Sequence, residues 1–247
     1  MHNWRWQVFL EPAQGGGGAT YLDWVLLGLR MTAAVSACSW IIALLWGSVM
    51  GIFRTYPNKI LYGLSTAYVE VFRNIPLLVQ LFLWYFVAPE LAPGGLGAWF
   101  KQLHPNVQLF LASMLCLGFF TGARITEQVR AGIESLSKGQ KAAGLAMGFT
   151  LPQTYRHVLL PMAFRIIIPP LSSECVNLVK NSAVASTIGL MELAYQGRQL
   201  VDYTAQSYES FIAVTALYVA LNLLILLFMR WVEKKARVPG YMGGGGR

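Results

Sequence analysis

The sequence predicts an all-α integral membrane protein with about five transmembrane helices. Of the 247 residues 55% are hydrophobic and 12% charged, and the mean hydropathy of +0.49 is too high for an ordinary soluble domain. Several apolar stretches contain the roughly 20 residues needed to cross about 30 Å of hydrocarbon. Basic residues cluster beside these stretches, so the net charge of +8 indicates membrane orientation rather than nucleic-acid binding.

The predicted spans divide the chain into three parts. Residues 1–20 form a periplasmic, interfacial N-terminal segment with tryptophans and a flexible glycine connector. Residues 21–237 form the transmembrane domain, and the glycine-rich tail 238–247 is expected to be disordered. The spans themselves are expected at about 24–53, 61–87, 108–135, 164–190 and 211–231.

The second span carries three polar residues on one predicted helical face. Glu70, Arg73 and Gln80 recur at i, i+3 and i+10. At 1.5 Å per residue the two charges lie roughly 14 to 18 Å into the helix, where charge is costly and is taken by default as functional. Glu70, Arg73 and Gln80 are therefore substrate-pathway candidates, although a Glu70–Arg73 pair could merely pack helices. Pro76 is expected to kink the span beside them.

The third span ends in charges spaced three or four residues apart. These charges predict a ladder of ion pairs that stiffens a helix leaving the membrane. Arg124, the first of them, is also a pathway candidate. The ladder consists of Arg124, Glu127, Arg130 and Glu134.

The fourth span contains a double proline followed by polar residues. Pro169–Pro170 is expected to interrupt the helix, as broken helices build polar sites in many transporters. Glu174, Asn177 and Asn181 share a face, and Lys180 is one turn from Asn177. All four are pathway candidates. Glu174 and Lys180 could instead form a purely structural pair between helices.

Residues 137–162, between the third and fourth spans, predict two short amphipathic helices facing water. Gly148 is placed to end the first helix, and Thr150 with Gln153 has the form of a capping box that starts the second. Pro161 is expected to close the unit. The second helix carries an apolar face that we expect to need a protein partner. That face consists of Tyr155, Val158 and Leu159.

This connection resembles the cytoplasmic coupling loop of permease subunits from binding-protein-dependent ABC importers. Their motif is Glu-Ala-Ala, three residues, Gly, nine residues, an aliphatic residue, any residue, Leu and Pro. The chain departs from it at Ala142, where the motif has Glu, and at Gly144, where it has Ala. The motif positions are occupied by Ala142, Ala143, Gly144, Gly148, Val158, Leu160 and Pro161.

Two further stretches resemble amino-acid permeases of the same class, namely FRNIPLLVQ and SSECVNLVKNSAVASTIGL. In that family the helix carrying the second stretch lies at a dimer interface beside the pathway. The resemblance extends from about Trp24 to Arg237 and is strongest to permeases of glutamate/aspartate importers. It implies the type I ABC importer permease fold and the import of polar, acidic amino acids across the bacterial inner membrane by alternating access.

The resemblance also implies partners. These are a dimer of ATP-binding subunits, a second identical or different permease chain and a periplasmic amino-acid-binding protein. The sequence has no Gly-rich loop ending in Gly-Lys-Ser/Thr. We therefore expect no cofactor and no catalysis in this chain, with ATP and Mg²⁺ bound by the partner ATPase.

Charge counting predicts the orientation. With the amino terminus outside, the inner side receives most of the lysines and arginines of the connecting segments, together with residues 137–162, and the carboxyl terminus is cytoplasmic. The basic residues assigned to the inner side are Arg54, Lys59, Lys138, Lys141, Arg156, Arg165, Arg230, Lys234, Lys235 and Arg237.

Three other functions remain open. The substrate could be glutamine or another polar amino acid, and selectivity could reside in the binding protein. An ATP-independent channel would not need the coupling loop. A membrane enzyme is disfavoured because His2, His104 and His157 have no acidic residue at i+3 or i+4, and neither a catalytic nor a metal site is predicted.

Overall fold

A computed structural model of the chain describes residues 4–14 and 18–236. The tail 238–247 and the first glycines of the predicted connector lie outside the described residues. The described chain is almost entirely helical. Its α-helices are α1 Tyr21–Thr55, α2 Lys59–Asn74, α3 Leu77–Phe82, α4 Ala88–Leu91, α5 Leu96–Gln102, α6 Pro105–Glu134, α7 Lys138–Ala146, α8 Leu151–Thr154, α9 Leu160–Asn181, α10 Leu193–Thr204 and α11 Ser207–Ala236.

Four helical segments of the described chain are long and apolar enough to cross a membrane. They are α1, α6, α11 and the continuous helical segment 151–188. A fifth span is obtained if α2 and residues 77–91 are counted as one bent span. The prediction of about five spans is confirmed, with the first, third and fifth close to their expected limits.

Pro76 breaks the second span instead of kinking it. Helix α2 stops at Asn74, α3 starts at Leu77, and the chain bends by 107° between them. The Gln80 amide donates to Ile75 O at 2.8 Å and so satisfies a carbonyl exposed by the break. The prediction that Glu70, Arg73 and Gln80 share one helical face is therefore wrong, because no single helix contains all three.

The double proline of the fourth span does not interrupt its helix. Helix α9 continues through Pro169 and Pro170 to Asn181, so the expected break at these residues is wrong. Membrane helices tolerate proline where local adjustments satisfy the freed backbone groups. The helix changes later, into a 3₁₀ segment at Ser182–Ile188, which Gly189 ends at a φ of +100°.

The described chain divides into two compact units. Unit 1 contains residues 4–14, 18–41, 75–118 and 177–223, and unit 2 contains residues 42–74, 119–176 and 224–236. A cluster of buried apolar residues in unit 1 joins the N-terminal segment to α1, α10 and α11. The members of this cluster are Val8, Ala13, Tyr21, Val25, Leu193, Leu200 and Val214.

Glu192 and Glu209 are fully buried carboxylates of unit 1, and Glu192 links three helices. It is fully buried and sits at the N-cap of α10, where its carboxylate accepts the Tyr195 N–H at 2.8 Å. The same carboxylate accepts the Tyr218 hydroxyl at 2.6 Å and the Thr32 hydroxyl at 3.4 Å. One side chain thus joins α1, α10 and α11.

In unit 2, α1 packs directly on α6 through two glycines one turn apart. A Cβ at Gly51 would lie 2.5 Å from the Cβ of Val129, and one at Gly47 would lie 2.7 Å from Gly122 O. The Thr126 hydroxyl donates to Gly122 O at 2.9 Å and approaches Gly47 O at 3.3 Å. Small residues spaced in this way allow membrane helices to approach closely.

A network of ion pairs lies near the carboxyl end of α1, after Gly51 in the sequence. Arg130 contacts Glu127 at 2.9 Å and Glu134 at 2.6 Å, which confirms that part of the predicted ladder. Glu127 also pairs with Arg54 of α1. Arg124 is not part of the ladder and instead approaches Glu174 of α9.

Gly51→Ala should destabilise the protein. The added methyl group has no room beside Val129, and overpacking typically costs about 1–3 kcal/mol. Thermal unfolding of the purified protein in detergent should show a lower Tm.

Gly63→Ala is the matched control, because a Cβ at Gly63 meets nothing within 4 Å. It should keep or raise the Tm, since alanine stabilises a helix interior by about 0.5–1 kcal/mol relative to glycine. Equal melting temperatures for the two variants would contradict the close packing of α1 on α6.

Candidate functional site

A polar cavity of about 450 Å³ lies within unit 2. The end of α2, the second half of α6 and the middle of α9 supply its walls. Its volume falls in the range of about 300–1,000 Å³ that is typical of small-molecule sites. The cavity is lined by Phe72, Arg73, Phe120, Arg124, Glu127, Gln128 and Glu174.

Arg124 and Glu174 form a loose pair on the cavity wall. The Arg124 Nη1 lies 3.7 Å from the Glu174 Oε2, and the Gln128 amide is 3.4 Å from the other carboxylate oxygen. The Arg124 guanidinium also lies 5.2 Å from the centroid of the Phe120 ring. Glu174 is 13% exposed and Arg124 42%, so the arginine keeps donors open to the cavity.

Arg73 is the second guanidinium of the cavity. Its side chain is exposed, and no carboxylate of the described residues lies within 4.0 Å of it. The structural Glu70–Arg73 pair is therefore not found. The exposed Glu70 accepts a hydrogen bond from the Asn74 amide at 3.0 Å and does not line the cavity. Thus three predicted pathway residues come together here, namely Arg73, Arg124 and Glu174.

The other predicted pathway residues have different surroundings. Gln80 is 4% exposed, and its amide is engaged with a backbone carbonyl. Asn177, Lys180 and Asn181 belong to unit 1, at the end of α9 before the 3₁₀ segment. Asn177 and Asn181 are half-buried and Lys180 is exposed. None of these four residues lines the cavity.

The segment between α6 and α9 forms the two predicted helices. Helix α7 ends at Ala146, and Gly148 follows with a φ of +87°, as expected of a glycine that ends a helix. The next helix starts after Thr150, whose N–H donates to the Gln153 Oε1 at 2.8 Å. Both helix limits predicted from the sequence are confirmed.

Pro161 does not close this segment. The chain runs from α8 through a π-helical turn, Tyr155–Leu159, directly into α9, and Pro161 is the second residue of that helix. In the π turn the Leu160 N–H bonds to Tyr155 O, five residues earlier. A wider turn of this kind shifts the hydrogen-bond register just before the proline, so the helix continues where the sequence predicts an end.

The apolar face of the second helix is not open to water. Tyr155 is 5% exposed and Leu159 3%, because both pack inside unit 2, and Val158 is half-buried. The prediction of a water-exposed patch at these residues is wrong. The large apolar side chains that are exposed in this segment are Leu145 and Met147, at 45% and 67%.

The motif residues divide between interior and surface. Gly144 is buried, and a Cβ there would lie 2.8 Å from the Thr154 Cγ2, so the glycine that departs from the motif suits the close packing of α7 on α8. Ala142, Ala143 and Pro161 are exposed, whereas Leu160 is half-buried.

Residues 43–238 match the family described as "Binding-protein-dependent transport system inner membrane component". The chain belongs to this family. It is therefore a multi-pass inner-membrane permease subunit, and systems of this family include a substrate-binding protein and an ATPase. In the described residues, no group of three or more His, Cys, Asp or Glu side chains could hold a metal ion.

Relatives and solved structures extend the comparison. The glutamate/aspartate import permease protein GltJ of Escherichia coli K12 is 58% identical over 98% of both chains. The probable glutamine ABC transporter permease GlnM of Bacillus subtilis is 36% identical over 76% of this chain and 82% of its own.

The solved structures have the same fold. An amino acid ABC transporter crystallised with histidines aligns over 87% of this chain and 95% of its own, with 28% identity and a TM-score of 0.73. The MetNI methionine transporter aligns over 88% and 98%, with 22% identity and a TM-score of 0.72. The predicted type I ABC importer permease fold is thereby confirmed.

Arg124→Gln should destabilise the protein, because it leaves the nearly buried Glu174 carboxylate without a cation. We expect a loss of about 1–2 kcal/mol, less than the 3–5 kcal/mol typical of fully buried pairs, since Arg124 is partly exposed. The Tm of the purified protein measures the effect.

The double variant Arg124→Gln/Glu174→Gln should recover part of the lost Tm, because neither charge then remains unpaired. A double-mutant cycle gives the coupling between the two side chains. Additive effects of the two substitutions would show that the pair does not interact.

Proposed function

We propose that this chain is the transmembrane permease of an ATP-driven importer of acidic amino acids, glutamate and aspartate. The observation that carries the proposal is its 58% identity, over nearly the full length, to a glutamate/aspartate import permease. The charges of the unit 2 cavity support the same substrate class. Two cations on one cavity favour a substrate with two carboxylates over the neutral amino acid glutamine, which is named for the Bacillus relative.

An acidic amino acid carries two carboxylates and one ammonium group. Arg73 and Arg124 offer two guanidinium groups on one cavity, and guanidinium binds carboxylate through paired N–H donors. Glu174, held by the Gln128 amide, offers a carboxylate to the ammonium group. These attractions are stronger where water is scarce.

The loose Arg124–Glu174 pair suits transient binding. At 3.7 Å the two groups are close enough to offset each other's charge in the empty cavity and too far apart for a strong hydrogen bond. A zwitterionic substrate replaces this contact with one contact to each partner. The substrate can then dissociate, because the contact between Arg124 and Glu174 re-forms when it leaves.

The remaining polar residues are proposed to serve other parts of the pathway. Asn177, Lys180 and Asn181 follow one another along the end of α9, where amide and ammonium donors could guide an anion. Glu70 is exposed near the end of α2, whereas Gln80 stabilises the break at Pro76.

Residues 137–162, called the coupling segment from here on, are proposed to couple the permease to ATP hydrolysis. Their place between two spans, on the side with most positive charge, supports a cytoplasmic location for them and a periplasmic amino terminus. ATP and Mg²⁺ bind a dimer of separate ATPase subunits. A pair of permease chains receives the substrate from a periplasmic binding protein, and ATP-driven movement of the coupling segments reorients the pair by alternating access.

Leu145 and Met147 are the proposed apolar contacts for the ATPase. Both are exposed and lie at the end of α7 and beside Gly148, in a segment that also carries Lys138 and Lys141. Unbranched methionine adapts readily to a partner surface. Exposed apolar side chains on a segment that also carries charge are compatible with a protein–protein interface, which has an apolar centre and a polar rim.

The test of this function is uptake of radiolabelled glutamate, aspartate and glutamine into proteoliposomes that contain the permease, its ATPase and the candidate binding protein. Uptake of glutamate and aspartate should require both ATP and the binding protein. Uptake of glutamine alone would assign the second substrate class, and uptake without ATP would indicate a channel.

Arg73→Gln should weaken transport of acidic amino acids, because the cavity loses a cation that has no carboxylate partner within the described chain. A lost charge-assisted hydrogen bond of about 1.5–3 kcal/mol predicts a KM for glutamate raised about tenfold or more. Uptake is measured over a range of substrate and binding-protein concentrations.

Lys59→Gln is the control, because Lys59 is an exposed cation of the same helix that does not line the cavity. It should leave the KM unchanged. A wild-type KM in Arg73→Gln, with normal assembly, would remove Arg73 from the substrate site.

Met147→Asp should prevent productive docking of the ATPase, because a charge replaces the most exposed large apolar side chain of the coupling segment. Co-purification of the ATPase and uptake should both fall at least tenfold. Met147→Leu keeps an apolar side chain and should retain both. Normal co-purification of the Met147→Asp permease would place the ATPase contact elsewhere.

A further inference from the structure

The coupling segment caps the first transmembrane helix. The Tyr155 hydroxyl donates to Thr55 O at 2.7 Å, across 100 residues of sequence. Thr55 is the last residue of α1, and the final carbonyls of a helix have no donor within it. The Tyr155 ring packs on Tyr56, with centroids 5.6 Å apart, so the contact is almost sealed from water.

Two other helices hold the same end of α1. Arg54, one residue before Thr55, pairs with Glu127 of α6. Its guanidinium also lies 5.9 Å from the centroid of the Tyr62 ring on α2. The end of α1 is therefore a junction of α1, α2 and α6, and the coupling segment reaches that junction through Tyr155.

Tyr155 is in turn fixed to α7. Thr154, the residue before it, is fully buried, and its methyl group occupies the space beside Gly144 that a Cβ would fill. Its hydroxyl bonds to Thr150 O at 3.0 Å. A displacement of α7 must therefore carry Thr154 and Tyr155 with it, because the packing leaves no gap to absorb the movement.

The geometry points to Tyr155 as a positioning residue that transmits movement of α7 to the end of α1. This role rests on the proposed function of residues 137–162 as the segment moved by the ATPase. Tyr155 faces its own chain rather than the partner, since it is 5% exposed. The hydrogen bond from its hydroxyl to Thr55 O connects the coupling segment to the end of α1. Without the hydroxyl, α7 can follow the ATPase while the end of α1 lags behind.

The test is Tyr155→Phe in the complete transporter, reconstituted with its ATPase and binding protein. The ring remains and the donor to Thr55 O is lost. We measure glutamate uptake and ATP hydrolysis in the same vesicles and take their ratio. The uptake per ATP hydrolysed should fall about two- to tenfold, the range expected for one neutral hydrogen bond, while assembly and ATP hydrolysis persist.

Tyr56→Phe is the matched control. Tyr56 is the other ring of the pair, and no hydrogen bond of its hydroxyl is found in residues 4–14 and 18–236. It should keep the wild-type ratio.

Three results would overturn the role of Tyr155. They are an unchanged ratio in Tyr155→Phe, an equal loss in Tyr56→Phe, and failure of the Tyr155→Phe complex to assemble, because the hydroxyl would then serve folding. A wild-type complex that shows no ATP-driven uptake of acidic amino acids would instead overturn the proposed function.

Discussion

The close approach of α1 and α6 is the constraint on which unit 2 depends. Lipid tails are as apolar as the side chains they surround, so burial of apolar surface adds little to helix association inside a membrane. The attraction between the two helices must come from van der Waals contacts and hydrogen bonds, which require their backbones to lie close together. Gly47 and Gly51 allow it, and Thr126 uses the short distance to reach carbonyls of both helices. The cavity wall and the Arg54–Glu127 pair are positioned by this same contact.

The charges of unit 2 form two groups that differ in how completely they are paired. Around Arg54, Glu127 and Arg130 every charge has a close opposite partner, which is the arrangement of a structural brace. Around the cavity, Arg124 and Glu174 are held apart. Charge inside a membrane span is costly and is taken by default as functional, which is why these two side chains stay candidates for the substrate pathway.

The sequence predicts the spans well because hydropathy and span length are properties of local sequence. It predicts the effects of prolines poorly. Pro76 ends a helix where Gln80 supplies a substitute donor, whereas Pro161 lies inside a helix directly after a π turn. Both outcomes depend on hydrogen bonds that the residue type does not specify.

The candidate site was predictable in part for a similar reason. Their position inside predicted spans marks the charged residues Arg73, Arg124 and Glu174 as unusual. The sequence does not show that the three line one cavity. Helical spacing shows that Tyr155 and Leu159 share a face, but not that their own chain covers it. Glu192 was missed, because a single acid next to a short polar helix resembles any surface residue until its three partners are known.

Helix α11 has the least support from its own chain. Within its most apolar 18 residues 6% are buried, and its 30 residues extend about 45 Å, against about 30 Å of hydrocarbon. The excess length requires a tilt or a projection into the headgroups, where Lys235 lies over the Trp231 ring. A thinner or thicker bilayer changes how much of this helix must tilt or project, so the lipid composition of the host membrane acts on the orientation of α11 together with its packing and its interfacial anchors.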